Sequence, residues 1–136
     1  MTANLYEQIA AELVGRKVIT RHADGPTTYA GPDPHDPRAA TLNMRARGTS
    51  VSCHPSAVAP ADEVTVPTIK EARGRVQAKK NPAGYSRHPW TGYLDGRPVA
   101  HGRTKRDVTA TALVALAVSD WQDDRRKAHE RQDGAA

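Results

Sequence analysis

The chain has one cysteine, no phenylalanine and few large apolar side chains of any kind. A single thiol, Cys53, excludes an internal disulfide and a multi-cysteine zinc knuckle, so stability must come from packing alone. Leu, Ile, Val and Phe supply only 20 of 136 residues, a share that invites disorder, yet the high net charge that accompanies disorder is missing at +5. The expectation is a folded chain with a thin core eked out by alanine. Nowhere do 18 apolar residues run together, and the start MTANLYEQIAAELV has acidic residues where a signal peptide needs a basic segment and then an apolar one. These absences predict a soluble, cytoplasmic protein without membrane contact. At 14.7 kDa the chain makes one compact domain or two small lobes.

The motifs that carry catalysis are absent too. There is no G-x-x-x-x-G-K-[ST], no G-x-G-x-x-G, no H-E-x-x-H and no G-x-S-x-G. The histidines at 22, 35, 54, 88, 101 and 129 show no ligand spacing, and Cys53 and His54, adjacent in an extended segment, point to opposite faces. His35 within PDPHDP stands beside Asp33 and Asp36, but neighbours alone lack the number and geometry a metal wants. Cys53 reads as a buried, inert thiol. The expectation is a protein that is not an enzyme and holds no cofactor or metal.

What the sequence does have is a charge layout. Residues 1–69 hold six Lys/Arg against seven Asp/Glu, and residues 107–136 hold four against six. From Lys70 to Arg106 there are ten basic residues and only Glu71 and Asp95 to oppose them, so the middle carries the whole excess. Tyr85, Trp90 and Tyr93 fall in the same window, three of the six aromatics. Cations interleaved with rings suit phosphate backbones and exposed bases. A basic stretch is also the pattern of a solvated face or of a dock for an acidic protein.

Local signals give the elements. Asn4 and Glu7 form a capping-box pattern, Leu5, Ile9, Leu13 and Val14 share a stripe, and Gly15 suits a left-handed stop, which predicts a helix over 4–15. KVITR (17–21) reads as a strand, HADGP (22–26) as its turn and 27–29 as the returning strand. GPDPHDP (31–37) reads as a surface loop because of its prolines, 39–47 alternates as a half-buried strand, and 51–54 is its short partner. Residues 55–67 are rich in Ala and Pro and read as a linker, with VTV at 64–66 the one strand-like piece. Thr68 and Glu71 suggest a short helix against which Gly74 argues, with a strand at 75–80 as the alternative. NPAGYSRHP (81–89) is loop. Trp90–Leu94, Asp95-Gly96 and Arg97–His101 read as a tight type I′ hairpin. Thr104 and Asp107 then cap a long helix with Ala110, Leu113, Val114, Ala117, Val118 and Trp121 on one face and an Asp123–Lys127 pair beyond.

Over Trp90–Leu116, WTGYLDGRPVAHGRTKRDVTATALVAL, the order strand, Asp-Gly turn, strand, Gly-x-Thr, helix resembles two small modules. One is the arm-binding domain of tyrosine integrases, similar to plant AP2 domains, which lays a three-stranded sheet in the DNA major groove. The other is the partial RNase H-like fold of HicB antitoxins, whose Gly-x-Thr opens a helix as Gly102-Arg103-Thr104 would. The resemblance covers 27 of 136 residues and rests on turn and cap residues, and the HicB proline-containing stretch before Gly-x-Thr is missing, so neither family is assigned and no residue's role is carried over.

The fold expected is α+β: an N-terminal helix, short antiparallel strands and hairpins, and a long C-terminal helix packed on a small sheet. Its organisation reads as an N-terminal lobe (1–66), a basic hairpin–helix lobe (67–127) compacted with the first, and a frayed tail (128–136). The function expected is non-catalytic binding, with nucleic acid as first partner. Arg87, Arg97, Arg103, Lys105 and Arg106 would neutralise phosphates, Lys79 and Lys80 would extend the track, and Tyr85 or Trp90 would stack on a base. Thr104 at a helix start adds amides suited to a phosphate. The alternative is a regulatory protein-binding modulator, an inhibitor, an antitoxin-like partner or a phage or mobile-element accessory factor, turning the same face to an acidic protein. A thin core makes homodimerisation reasonable. All of this requires the central cations to gather on one exposed side.

Overall fold

The computed structural model describes residues 5–21, 26–33, 36–44, 49–53, 55–82 and 87–134. It is α+β, with a helix at the start, antiparallel strands in two sheets and a long helix at the end. The chain divides into two units, residues 1–64 with 118–136, and residues 65–117.

In the first unit, α1 (Leu5–Leu13) buries Ile9 and Leu13, as their spacing predicts. The expected cap Asn4 lies outside the described residues. Val14 is 48% exposed, contrary to its place on the stripe, because the helix has already ended and Gly15 turns left-handed at φ +81°. The N–H of Gly15 donates to the carbonyl of Tyr29 (2.7 Å) and that of Tyr29 to Arg16 (3.0 Å), which locks the helix exit to the sheet. β1 (Lys17–Ile19) pairs with β2 (Thr27–Asp33), β2 with β3 (Asp36–Met44) and β3 with β4 (Thr49–Cys53); β5 (Ala59–Pro60) takes the other side of β1, giving the order β4-β3-β2-β1-β5. The β1–β2 pairing is the expected one, Val18 opposite Thr27, while Asp24-Gly25 lies outside the described residues.

Two expectations fail here. GPDPHDP is not one loop: β2 runs through Pro32 to Asp33 and β3 starts at Asp36, with residues 34–35 outside the described residues. Beyond Thr28, β2 pairs with β3 alone among the described residues, and the ladder shifts register around Pro32, so a residue without an N–H costs little there. Nor are residues 55–60 a linker. Val58 and Ala59 are fully buried, Val58 in a core with Ile9, Leu13, Val18 and Tyr29, on which Ala57 and Trp121 pack. Irregular backbone can enter a core only if its carbonyls find donors. The Gln122 amide supplies them, donating to the carbonyls of Pro55 (2.8 Å) and Val58 (2.7 Å). Gln122→Ala is therefore expected to destabilise the protein by about 1–3 kcal/mol, read as a lower urea midpoint at unchanged m.

In the second unit, the Thr68–Glu71 box forms reciprocally: the Glu71 N–H donates to Thr68 Oγ1 (3.2 Å) and the Thr68 N–H to Glu71 Oε1 (3.0 Å). The box starts only a turn, because Arg73 (φ +52°) and Gly74 (φ +82°) reverse the chain before a helix can propagate. β6 (Val76–Lys80) follows, the alternative strand reading. β7 (Trp90–Leu94) and β8 (Arg97–Gly102) form the predicted hairpin, with Asp95 at φ +51° and Gly96 at +81° supplying the type I′ turn. The sheet order is β6-β7-β8, all antiparallel.

α2 (Lys105–Gly134) starts at the expected cap, the Asp107 N–H donating to Thr104 Oγ1 (3.1 Å), and is helical through Gly134. Its buried face differs from the one predicted. Val108, Ala112, Ala115 and Leu116 are buried with Ala117 and Val118, while Ala110 is exposed. The small residues are so numerous that several stripes fit the period, and the sheet selects one. Asp123 pairs with Arg126 (3.0 Å) at i+3 instead of Lys127.

Candidate nucleic-acid interface

The strand register of the second unit sorts its side chains into two faces. Val76 and Leu94 pack with Ala72, Ala112, Ala115 and Leu116, so α2 covers the face that carries Val76, Leu94, Gly92 and Ala100. The opposite face is the more open one among the described residues: Gln77, Lys79 and His101 are exposed there, with Tyr93 half-buried and Thr91 buried between them. Lys79 and Lys80, neighbours in sequence, therefore fall on opposite faces. The Lys79 ammonium lies 5.4 Å from the centre of the Tyr93 ring, which it caps as a cation–π partner.

The two ends of this sheet differ in charge. At one end Lys80, Trp90 and Gly102 form a cross-strand row, and the chain continues from Gly102 into Arg103, Thr104, Lys105 and Arg106 at the start of α2. Arg87 stands two residues before Pro89, whose carbonyl accepts from the Asn81 N–H at this end (2.7 Å). Lys80, Arg87, Arg103, Lys105 and Arg106 are all exposed, and among the described residues none is paired with a carboxylate. Asp107 is the acidic residue in the first helical turn. Trp90 is half-buried in the row, and Tyr85 lies outside the described residues.

Arg97 stands at the other end, opposite Leu94 and about 13 Å along the strand from the Lys80 row at ~3.3 Å per residue. Here the cations have acidic company. Arg75 holds Asp95 bidentately, Nε to Oδ1 at 3.0 Å and Nη2 to Oδ2 at 2.9 Å. These bonds, with the charges of Arg75 and Arg97, hold the Asp95 carboxyl below the usual aspartate range. The Thr68 backbone and hydroxyl bonds lower Glu71 in the same way. Both carboxylates thus stabilise the folded state above their unfolded pKa values, and that contribution disappears as pH falls through the lowered ones. Thermal midpoints are expected to fall with acidification below about pH 5, and less so in Asp95→Asn, since Asn keeps the left-handed turn while removing the charge.

Of the residues expected to bind, the fold brings Lys80, Arg87, Trp90, Arg103, Lys105 and Arg106 to one end, sets Lys79 on the adjoining open face and separates Arg97 from them. Sequence reasoning missed Gln77, Asn81, Thr91 and His101. Alternation along β6 is a signal for Gln77, but His101 depends on a β-bulge between Gly92 and Tyr93: Tyr93 faces Pro98 while Gly92 faces Ala100, leaving Val99 extra. Counting back from the Asp-Gly turn without that bulge puts His101 on the helix side.

Among the described residues no three His, Cys, Asp or Glu side chains come together to hold a metal ion, and no helix is long and apolar enough to cross a membrane. Cys53 ends β4 opposite Ala40, and its side chain, like His35, lies outside what is described. No family model, curated protein or solved structure matches this chain, so the site's reading rests on its own geometry and charge.

Proposed function

We propose that the second unit binds nucleic acid, with the cations at the Lys80–Arg106 end on phosphates and the open sheet face against the polymer. The observation that carries this reading is where those cations stand. Lys105 and Arg106 occupy the first turn of α2, with Arg103 just before it, at the positive end of the helix dipole, where a cation costs about 0.3–1 kcal/mol. Cations that the helix dipole disfavours, left without carboxylates among the described residues while Arg75 a strand's length away is neutralised, suit an external anion. The open face adds hydrogen-bonding groups, Gln77, Lys79 and His101, that suit base edges. Tyr93 is half-buried and capped, so it offers no open ring for stacking, which favours a duplex over a single strand.

The test is fluorescence anisotropy with a short labelled duplex over about 50–200 mM salt, where five or six phosphate contacts give a slope of log affinity on log salt of about −5. Absence of binding to duplex and single strand at low salt overturns the reading. Stoichiometric capture of an acidic protein in its place would assign the same face to the modulator alternative.

A further inference from the structure

We infer that a hydrogen-bond chain running from Asn81 through Thr91 to His101 links nucleic-acid binding at this end to proton uptake; the linkage rests on the nucleic-acid reading, whereas the chain itself does not. Asn81 donates its backbone N–H to the Pro89 carbonyl (2.7 Å), and its side-chain Nδ2 donates to the His88 carbonyl (2.7 Å). That bond fixes the amide's orientation and leaves Oδ1 facing Thr91 Oγ1 at 2.8 Å. An amide oxygen only accepts, so Thr91 gives its one hydroxyl proton to Asn81. The remaining contact of Thr91 Oγ1 is His101 Nδ1 at 3.3 Å, and a hydroxyl whose proton is committed can only accept there. Neutral His101 therefore carries its proton on Nδ1, and its Nε2 is the position that takes a second proton. Thr91 is 3% exposed, which shields this bond from competing water, while His101 itself is exposed.

The surroundings give that proton a consequence. The His88 ring lies 6.5 Å from that of His101. Lys79 stands across β7 in the same row, Tyr93 lies diagonally on that face, Arg103 follows two positions along the chain, Arg87 adjoins His88, and Asp107 stands in the first turn of α2. A phosphate backbone laid on these cations favours the charged imidazolium, so the bound state holds more protons than the free one. Affinity then rises as pH falls, by linkage.

Two measurements test this on the full chain. Nitrogen NMR of labelled histidine should show His101 in the Nδ1–H tautomer at alkaline pH, reverting to Nε2–H in Thr91→Val; an Nε2–H tautomer in the wild type overturns the chain. Anisotropy with a short labelled DNA duplex at fixed ionic strength should show affinity rising on acidification, by up to about tenfold per pH unit for each proton taken up. The double variant His88→Gln/His101→Gln should flatten that rise. A pH-independent wild-type affinity, or a rise that survives in the double variant, overturns the linkage and leaves the nucleic-acid reading standing. Failure to bind DNA at any pH overturns both, and the tautomer is still decided by NMR.

Discussion

Replacing Arg103, Lys105 and Arg106 together by alanine is expected to weaken duplex binding and to reduce the salt slope by about 3 units, since each phosphate contact contributes ~0.9. At 50 mM salt the loss should be large, and it should shrink as salt rises, because what is removed is counterion release and not shape complementarity. The same triple variant should be as stable as the wild type or more so. All three side chains are exposed, none is paired with a carboxylate among the described residues, and two of them oppose the helix dipole. A gain or tie in thermal midpoint together with a loss of affinity is the signature of cations kept for a ligand. Arg97→Ala is the matched control. It removes one charge from the other end of the hairpin, beside Asp95, and should change the slope by less than any single change among the three. An unaltered slope in the triple variant would sink the assignment of these residues to phosphates.

Gly92→Ala is expected to be the most damaging single methyl in the second unit. A Cβ built there stands 2.6 Å from the backbone carbonyl oxygen of Val108 and 3.3 Å from the Ala100 Cβ. The obstacle is helix backbone and cannot rotate away, so α2 must lift from β7 and loosen the contacts of Val76, Leu94, Ala112 and Leu116. Overpacking of this kind costs about 1–3 kcal/mol, and Gly92→Val should exceed it. Gly102→Ala is the graded comparison. Its nearest obstacle is the Val108 Cγ1 at 3.1 Å, a side-chain atom that can shift, so its urea midpoint should fall by less. Equal midpoints for the two alanine variants would mean that helix and sheet are not held at this distance.

Much of the fold is legible before folding because it depends on neighbours in sequence. Asp95-Gly96 dictates a type I′ hairpin since both residues accept positive φ, and the observed angles agree. Thr104 caps α2 through the bond its position predicts, and Gly15 ends α1 left-handed. The capping box at Thr68 is equally local and equally present, yet Arg73 and Gly74 turn the chain before a helix forms. A cap can begin a helix, but only the following residues can extend it.

Other features needed a partner distant in sequence. Residues 55–60 read as linker because Ala and Pro carry no periodic signal; they are core because Gln122, more than sixty residues away, meets their carbonyls. Alanine-rich α2 fits several faces by period alone, and contact with Gly92 and Val76 chooses Val108, Ala112 and Leu116.

The charge excess of residues 70–106, the Asp-Gly turn and the helix caps were set by the sequence itself, because each arises between residues a few bonds apart. Which cations meet was decided by the sheet. The sheet sets Lys80, Trp90 and Gly102 in one row at the end away from the Asp95-Gly96 turn, so Lys80 and Arg103 fall at the same end while Arg97 is separated. The face of His101 was decided by one extra residue in β8, since a strand's side chains alternate and a single bulge reverses them.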